Sequence, residues 1–142
     1  MKLTPRKRAS STNESTSAAG ITGGCYCGKI RYAVGGEPAH VGVCHCENCR
    51  RITGGQAVAW VVFAKEDFRY TEGCPTTYRS ETGAIWSFCP SCGTTLDYRS
   101  VDRAGNVDVV LVTLDDPCRF PPKGDSSTDE KLPWVNLLAE TE

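Results

Sequence analysis

The sequence predicts an all-β domain built from short antiparallel sheets with little helix. Two observations carry this expectation. Apolar residues come in short runs, some alternating with polar ones in the period of two that a half-buried strand requires. Glycine- and proline-bearing turns separate the runs, and one stretch alone suits a helical turn or two. The chain has 142 residues, enough for one domain with a modest core. Charged residues make up 23% and the net charge is -1, so charge indicates neither a strongly basic nor a strongly acidic partner surface. Mean hydropathy is -0.33, and no apolar run approaches the roughly 18 residues that span a bilayer.

Residues 1–20 are dominated by Ser, Thr, Lys and Arg, with little apolar bulk besides Leu3, and are expected to form a disordered tail. Its "PRKR" reads first as a solubilising run, and otherwise as a nuclear address or a nucleic-acid contact. In "KIRYAV", Ile30, Tyr32 and Val34 fall on one face and Lys29 and Arg31 on the other, as in a half-buried strand. "QAVAWVVF" (56–63) is apolar on both faces, as a central strand should be, and "NVDVVLVTL" (106–114) reads the same way. "FRYT" and "TTYRS" are weaker strands separated by a turn at "EGCP". "AIWSF" and "TTLDY" flank "CPSCG" like the arms of a hairpin, and "ENCRRITG" is the candidate helix. After Asp115 the chain is Pro-rich, and "LPWVNLL" is expected to dock Trp134 and Leu137 on the body. Trp60 and Trp86 are expected in core or rim packing, and His40 as a packing or surface residue. The domain is thus expected over residues 21–138, with a short tail at 139–142.

Nine cysteines set the chemistry. The number is odd, no apolar signal segment is visible, and the spacings are C-x-C and C-x-x-C, which favour metal chelation over a disulfide framework. Seven of the nine form three knuckles: Cys25 and Cys27; Cys44, Cys46 and Cys49; Cys89 and Cys92. A structural zinc wants four ligands in a closed tetrahedron, and Cys25, Cys27, Cys89 and Cys92 supply them. Gly28 and Gly93 follow these knuckles and allow the backbone to turn its amides toward sulfur.

The middle cluster is then left with three thiols. Zinc held by Cys44, Cys46 and Cys49 would keep one position open, and open sites do chemistry. With three thiolates such a site is anionic and polarises water poorly, yet it can take a fourth thiolate from a substrate, which favours a thiol reacting with an electrophile. The alternative is a second structural zinc completed by His45, Cys74 or Cys118. His45 is expected to point away from the metal its neighbours share, and Cys74 and Cys118 to be plain buried or half-buried thiols. Arg50 and Arg51 follow the cluster; they would either bind a substrate carboxylate or balance the thiolate charge. Zinc is preferred to iron at these sites.

"GGCYCGKIRY", "CHCENCRRITGG", "EGCPTTYRS…FCPSCGTTL" and "VTLDDPCRFPP…LPWVNL" resemble the glutathione-dependent formaldehyde-activating enzyme family, which includes the centromere protein V domain. The resemblance covers about residues 21–138 and implies a zinc-pinned β-tent fold with two zinc ions per chain. It implies that Cys25, Cys27, Cys89 and Cys92 hold the structural zinc and that Cys44, Cys46 and Cys49 hold a second, near which glutathione binds. Arg50 matches the arginine after the third cysteine of that motif. The implied activity is that of a carbon–sulfur lyase joining glutathione to formaldehyde or a similar small aldehyde as S-hydroxymethylglutathione. Two departures bear on it. Ser87 stands where the family often has a basic residue before "FC", and "GDSSTDEK" replaces a His–aromatic stretch, so Asp125 and its neighbours cannot do that histidine's work. A non-catalytic zinc module binding a protein or nucleic acid is the alternative, nucleic acid being disfavoured by the near-neutral charge. A redox sensor using Cys74 or Cys118 ranks last. The expected location is the cytoplasm, with the nucleus left open by the basic tail.

Overall fold

A computed structural model describes residues 20–138. The expected tails at 1–20 and 139–142 lie outside the described residues, apart from Gly20. The structure is mostly β, with one α-helix among the described residues. In chain order the elements are β1 (Ile21–Gly24), β2 (Arg31–Val34), β3 (His40–Cys44), α1 (Glu47–Thr53), β4 (Val58–Ala64), β5 (Phe68–Glu72), β6 (Thr76–Arg79), β7 (Ala84–Phe88), β8 (Thr95–Ser100), β9 (Asn106–Val110) and β10 (Asp125–Ser126). They form a three-stranded sheet in the order β1-β2-β5 and a seven-stranded sheet in the order β10-β3-β4-β9-β8-β7-β6. Every pairing is antiparallel except the short parallel pair of β10 on β3.

The alternation in "KIRYAV" lands as expected, with Ile30, Tyr32 and Val34 buried and Arg31 half-exposed. These side chains join Phe68 from β5 and pack against Val41, Val61, Phe63, Leu96, Val107 and Val109 of the larger sheet. This cluster is the main core, and truncating one of its large members to alanine costs about 2–5 kcal/mol. Two buried polar side chains, Asp97 and Ser87, pair beside it. Asp97 on β8 accepts hydrogen bonds from the Tyr70 hydroxyl of β5 and from Ser87 Oγ at 3.2 Å, with Arg99 Nε at 3.4 Å. The carboxylate therefore ties the two sheets together, and its partners offset the desolvation it suffers.

β4 lies between β3 and β9, in the central place its two-faced apolar sequence predicts. The "CPSCG" turn joins β7 to β8 as a hairpin. Three expectations are corrected. The run at 106–114 is a strand only to Val110; Leu111–Thr113 forms a 3-10 turn, because the chain leaves the large sheet there and Leu114 bridges to Gly23 beside the small one. Trp134 does not dock on the core: it is 68% exposed, held by its indole N–H donating to Gln56 Oε1, while Leu137 is half-buried. Cys74 and Cys118 are exposed rather than buried, because each sits in a proline-bearing surface turn.

Candidate metal centres and groove

The first centre joins two turns. Cys25 follows β1 and Cys89 follows β7, both fully buried, while Cys27 and Cys92 are exposed. Gly28 and Gly93 each have φ +83°, and their amides bond back to Cys25 O at 3.2 Å and Cys89 O at 2.8 Å. This left-handed conformation, favourable for glycine, wraps each knuckle around its sulfurs. It also lets backbone amides face them: Ile30 N donates to Cys25 Sγ at 3.3 Å and Ser91 N to Cys89 Sγ at 3.4 Å. All four sulfurs lie within 4.8 Å of one another, with Cys25 to Cys27 at 3.5 Å and Cys27 to Cys89 at 3.8 Å. Four sulfurs at the zinc–sulfur distance of ~2.3 Å stand ~3.8 Å apart on a tetrahedron, so the donor set fits a closed zinc site. Burial works against ionising Cys92, but hydrogen bonds from the Thr94 hydroxyl and amide bring its thiol down to about 6.

The second centre is built where β3 runs into α1. Cys44 ends the strand, Cys46 caps the helix and Cys49 lies in its first turn. The Cys49 amide donates to Cys46 Sγ at 3.3 Å, so the C-x-x-C spacing is the spacing of a helix cap. The three sulfurs lie within 4.8 Å of one another, and among the described residues no fourth His, Cys, Asp or Glu joins them. The donor set therefore fits a soft metal such as zinc with one position free. The Cys49 thiol, above all, holds Cys44 down at about 4, against the effect of burial; the same pairing together with burial pushes Cys49 up. One proton leaves this cluster easily and the rest are held until a cation displaces them.

His45 turns away from the cluster, as its place between Cys44 and Cys46 predicts. It is 1% exposed, and its Nε2 meets Asp125 Oδ1 at 2.7 Å. Asp125 Oδ2 also accepts the Leu138 amide at 2.8 Å. This pair clips β10 to the cysteine loop and is absent from the expectations above; its signal in the sequence is a lone Asp eighty residues away, which only the fold connects. Arg50 donates from Nε to His45 O and from its guanidinium to Glu130 O, both at 3.3 Å, and does not line the cavity beside the cluster. Arg51 does line it, and pairs there with Glu47 at 2.7 Å.

That cavity is a groove of about 930 Å³ along the face of the large sheet that the small sheet leaves uncovered. The pairing register lays a single row across its floor: His40, Val62, Asp108, Tyr98, Trp86 and Tyr78, each opposite the next. Trp60, one pleat nearer the cysteines, adds to it, and Cys44 and Cys49 pack directly against this aromatic cluster. Asp108, third in that row, is held by Arg103 in a two-bond ion pair at 2.8 and 3.1 Å, and both line the groove. The expectation that Trp60 and Trp86 pack in the core holds for their burial, but both also line the groove.

The model of the glutathione-dependent formaldehyde-activating enzyme family matches residues 20–129. Among solved structures the chain is similar to a Rhodobacter sphaeroides protein determined as a structural-genomics target, at 25% identity and a TM-score of 0.55, over 65% of this chain and 85% of that one. No helix among the described residues is long and apolar enough to cross a membrane. With two cysteine clusters compatible with metal binding, an all-β architecture and a family match over most of its length, the chain belongs to the glutathione-dependent formaldehyde-activating enzyme family.

Proposed function

We propose that the chain is a zinc-dependent carbon–sulfur lyase that adds the thiol of glutathione to formaldehyde or a similar small aldehyde, and runs the reverse cleavage. The observation that carries this reading is the convergence of Cys44, Cys46 and Cys49 with no fourth ligand among the described residues, at the edge of an open groove. Zinc held there would keep a substrate thiol ionised at neutral pH. The residues around it position and orient. Cys44 and Cys49 face the groove, so a sulfur bound beside them meets a carbonyl carbon that approaches along the floor. Arg51 offers an exposed guanidinium for a glutathione carboxylate, its surface pair with Glu47 being weak enough to exchange. Arg50 holds the cysteine loop against the segment at Glu130. In the addition the thiolate sulfur bonds to the carbonyl carbon, the carbonyl π bond opens and the oxygen takes a proton from water. Cys25, Cys27, Cys89 and Cys92 would hold a structural zinc, their four sulfurs lying within 4.8 Å of one another.

The test combines metal analysis with exchange spectroscopy. Wild type should carry two zinc ions, one for each cluster, and Cys46→Ser one, while staying folded. The fully loaded wild type should accelerate magnetisation exchange between glutathione and S-hydroxymethylglutathione, and Cys46→Ser should not. Unaccelerated exchange in protein carrying both ions would overturn the reading.

A further inference from the structure

The groove is far longer than a one-carbon aldehyde can use. Its floor crosses from β3 to β6, five strand spacings or about 24 Å. Rings succeed one another along it: Trp60 to Tyr98 at 6.1 Å between centroids, Tyr98 to Trp86 at 5.3 Å, and Trp86 to Tyr78 at 6.2 Å and nearly parallel. Trp60 and Trp86 are buried, yet Tyr78 is 54% exposed at the sheet edge, so the apolar surface continues out to solvent. Charged groups interrupt it at two places: Arg51 beside the cysteines, and the Arg103–Asp108 pair, with Asp108 between Val62 and Tyr98 in the row. The polar side chains that also line the groove, among them Asn48, Arg51, Ser80 and Thr82, suit the carboxylates, ammonium and amides of glutathione; the ring faces of Trp60, Tyr98 and Trp86 do not, since a polar group laid on them would lose its water without a partner. Arg51 is where the glutathione carboxylates are served.

We propose that the aromatic groove running from Cys44 and Cys49 to Tyr78 binds the organic substituent of the aldehyde, and that the acceptors this enzyme handles best are aldehydes carrying an aryl or similarly flat apolar group. The proposal rests on the glutathione reading above. The reaction keeps its balance: the thiol S–H and R–CHO become R–CH(OH)–S, with the carbon–sulfur bond formed, the carbonyl π bond broken and the thiol proton finishing on oxygen. Tyr98, between Trp60 and Trp86 on the floor, is the residue that sets this preference.

The experiment compares 3-phenylpropanal with acetaldehyde. Both are aliphatic aldehydes of similar carbonyl reactivity, and they differ by the phenyl-bearing arm. Each is mixed with glutathione and the zinc-loaded chain, and adduct exchange is measured at limiting aldehyde relative to the uncatalysed rate. The enhancement should be at least about tenfold greater for 3-phenylpropanal, the gain expected from burying one phenyl group. Tyr98→Leu should cut that advantage about threefold or more. The wild-type ratio needs no variant, so it decides the question even where Tyr98→Leu unfolds. A readout free of turnover is tryptophan fluorescence: 3-phenylpropanol should perturb it in wild type and bind more weakly in Tyr98→Leu. Equal enhancement of the two aldehydes, or acceleration of formaldehyde alone, overturns this proposal and leaves the glutathione reading standing. No acceleration of any aldehyde overturns both.

Discussion

Replacing Asp125 with alanine removes the clip that holds the three-cysteine loop. The carboxylate makes two bonds, to His45 Nε2 at 2.7 Å and from the Leu138 amide at 2.8 Å. It is ionised at neutral pH: burial works against its charge, but the His45 bond and the amide hold its carboxyl below the usual range. A hydrogen bond to a charged group contributes about 1.5–3 kcal/mol and an amide bond about 1. His45 makes matters worse, since its Nδ1 is already buried without a partner among the described residues and the variant would strand Nε2 as well. The sum is a loss of about 3–4 kcal/mol, read as a lower urea midpoint at unchanged slope. Because His45 sits between Cys44 and Cys46, zinc affinity at that cluster should also fall, by about tenfold or more, with the Cys25 cluster unaffected. Asp125→Asn can still accept the amide and donate to the imidazole, so it should lose much less of both. Asp125→Ala with a stability change below about 1 kcal/mol and native zinc affinity at both clusters would refute the reasoning.

Asp97→Ala should cost about 3 kcal/mol or more by chemical denaturation, because it strands the Tyr70 and Ser87 hydroxyls between the sheets, while Asp97→Asn should cost less. Gly93→Ala forces an L side chain to φ +83° and should cost about 1–2 kcal/mol and speed zinc loss to a chelator, although open space surrounds that Cβ; native kinetics would show that the knuckle tolerates the strain. Stability should fall at alkaline pH. Burial, above all, raises both Tyr32 and Tyr70 from their ordinary value near 10.0, so the folded state binds their protons more tightly than the unfolded chain. Their contribution is complete below about pH 10 and is lost as pH rises beyond it, which urea titrations across that range, with tyrosinate absorbance as a second probe, would display.

Much of this molecule was legible in its order of residues, and the legible parts share a cause. Strand alternation at Ile30, Tyr32 and Val34, the helix at 47–53 and the knuckles around Gly28 and Gly93 depend on neighbours within a few positions, where backbone geometry leaves few choices. The division of seven cysteines into four and three was likewise a matter of spacing and ligand number, and both sets do converge. Arg50 shows where that reasoning stops. Next to the cluster in sequence, it bonds to backbone carbonyls of His45 and Glu130, while Arg51, one position further round the helix, reaches the groove. Only tertiary structure decided which side chains share that groove. Tyr78, Trp86, Tyr98, Asp108, Val62 and His40 come from six strands and fall in one row because the pairing register aligns them, and register is set by the closing of the sheet rather than by any local pattern. His45 and Asp125 meet for the same reason: β10 pairs with β3 at Cys44, a contact that folding alone creates across eighty residues.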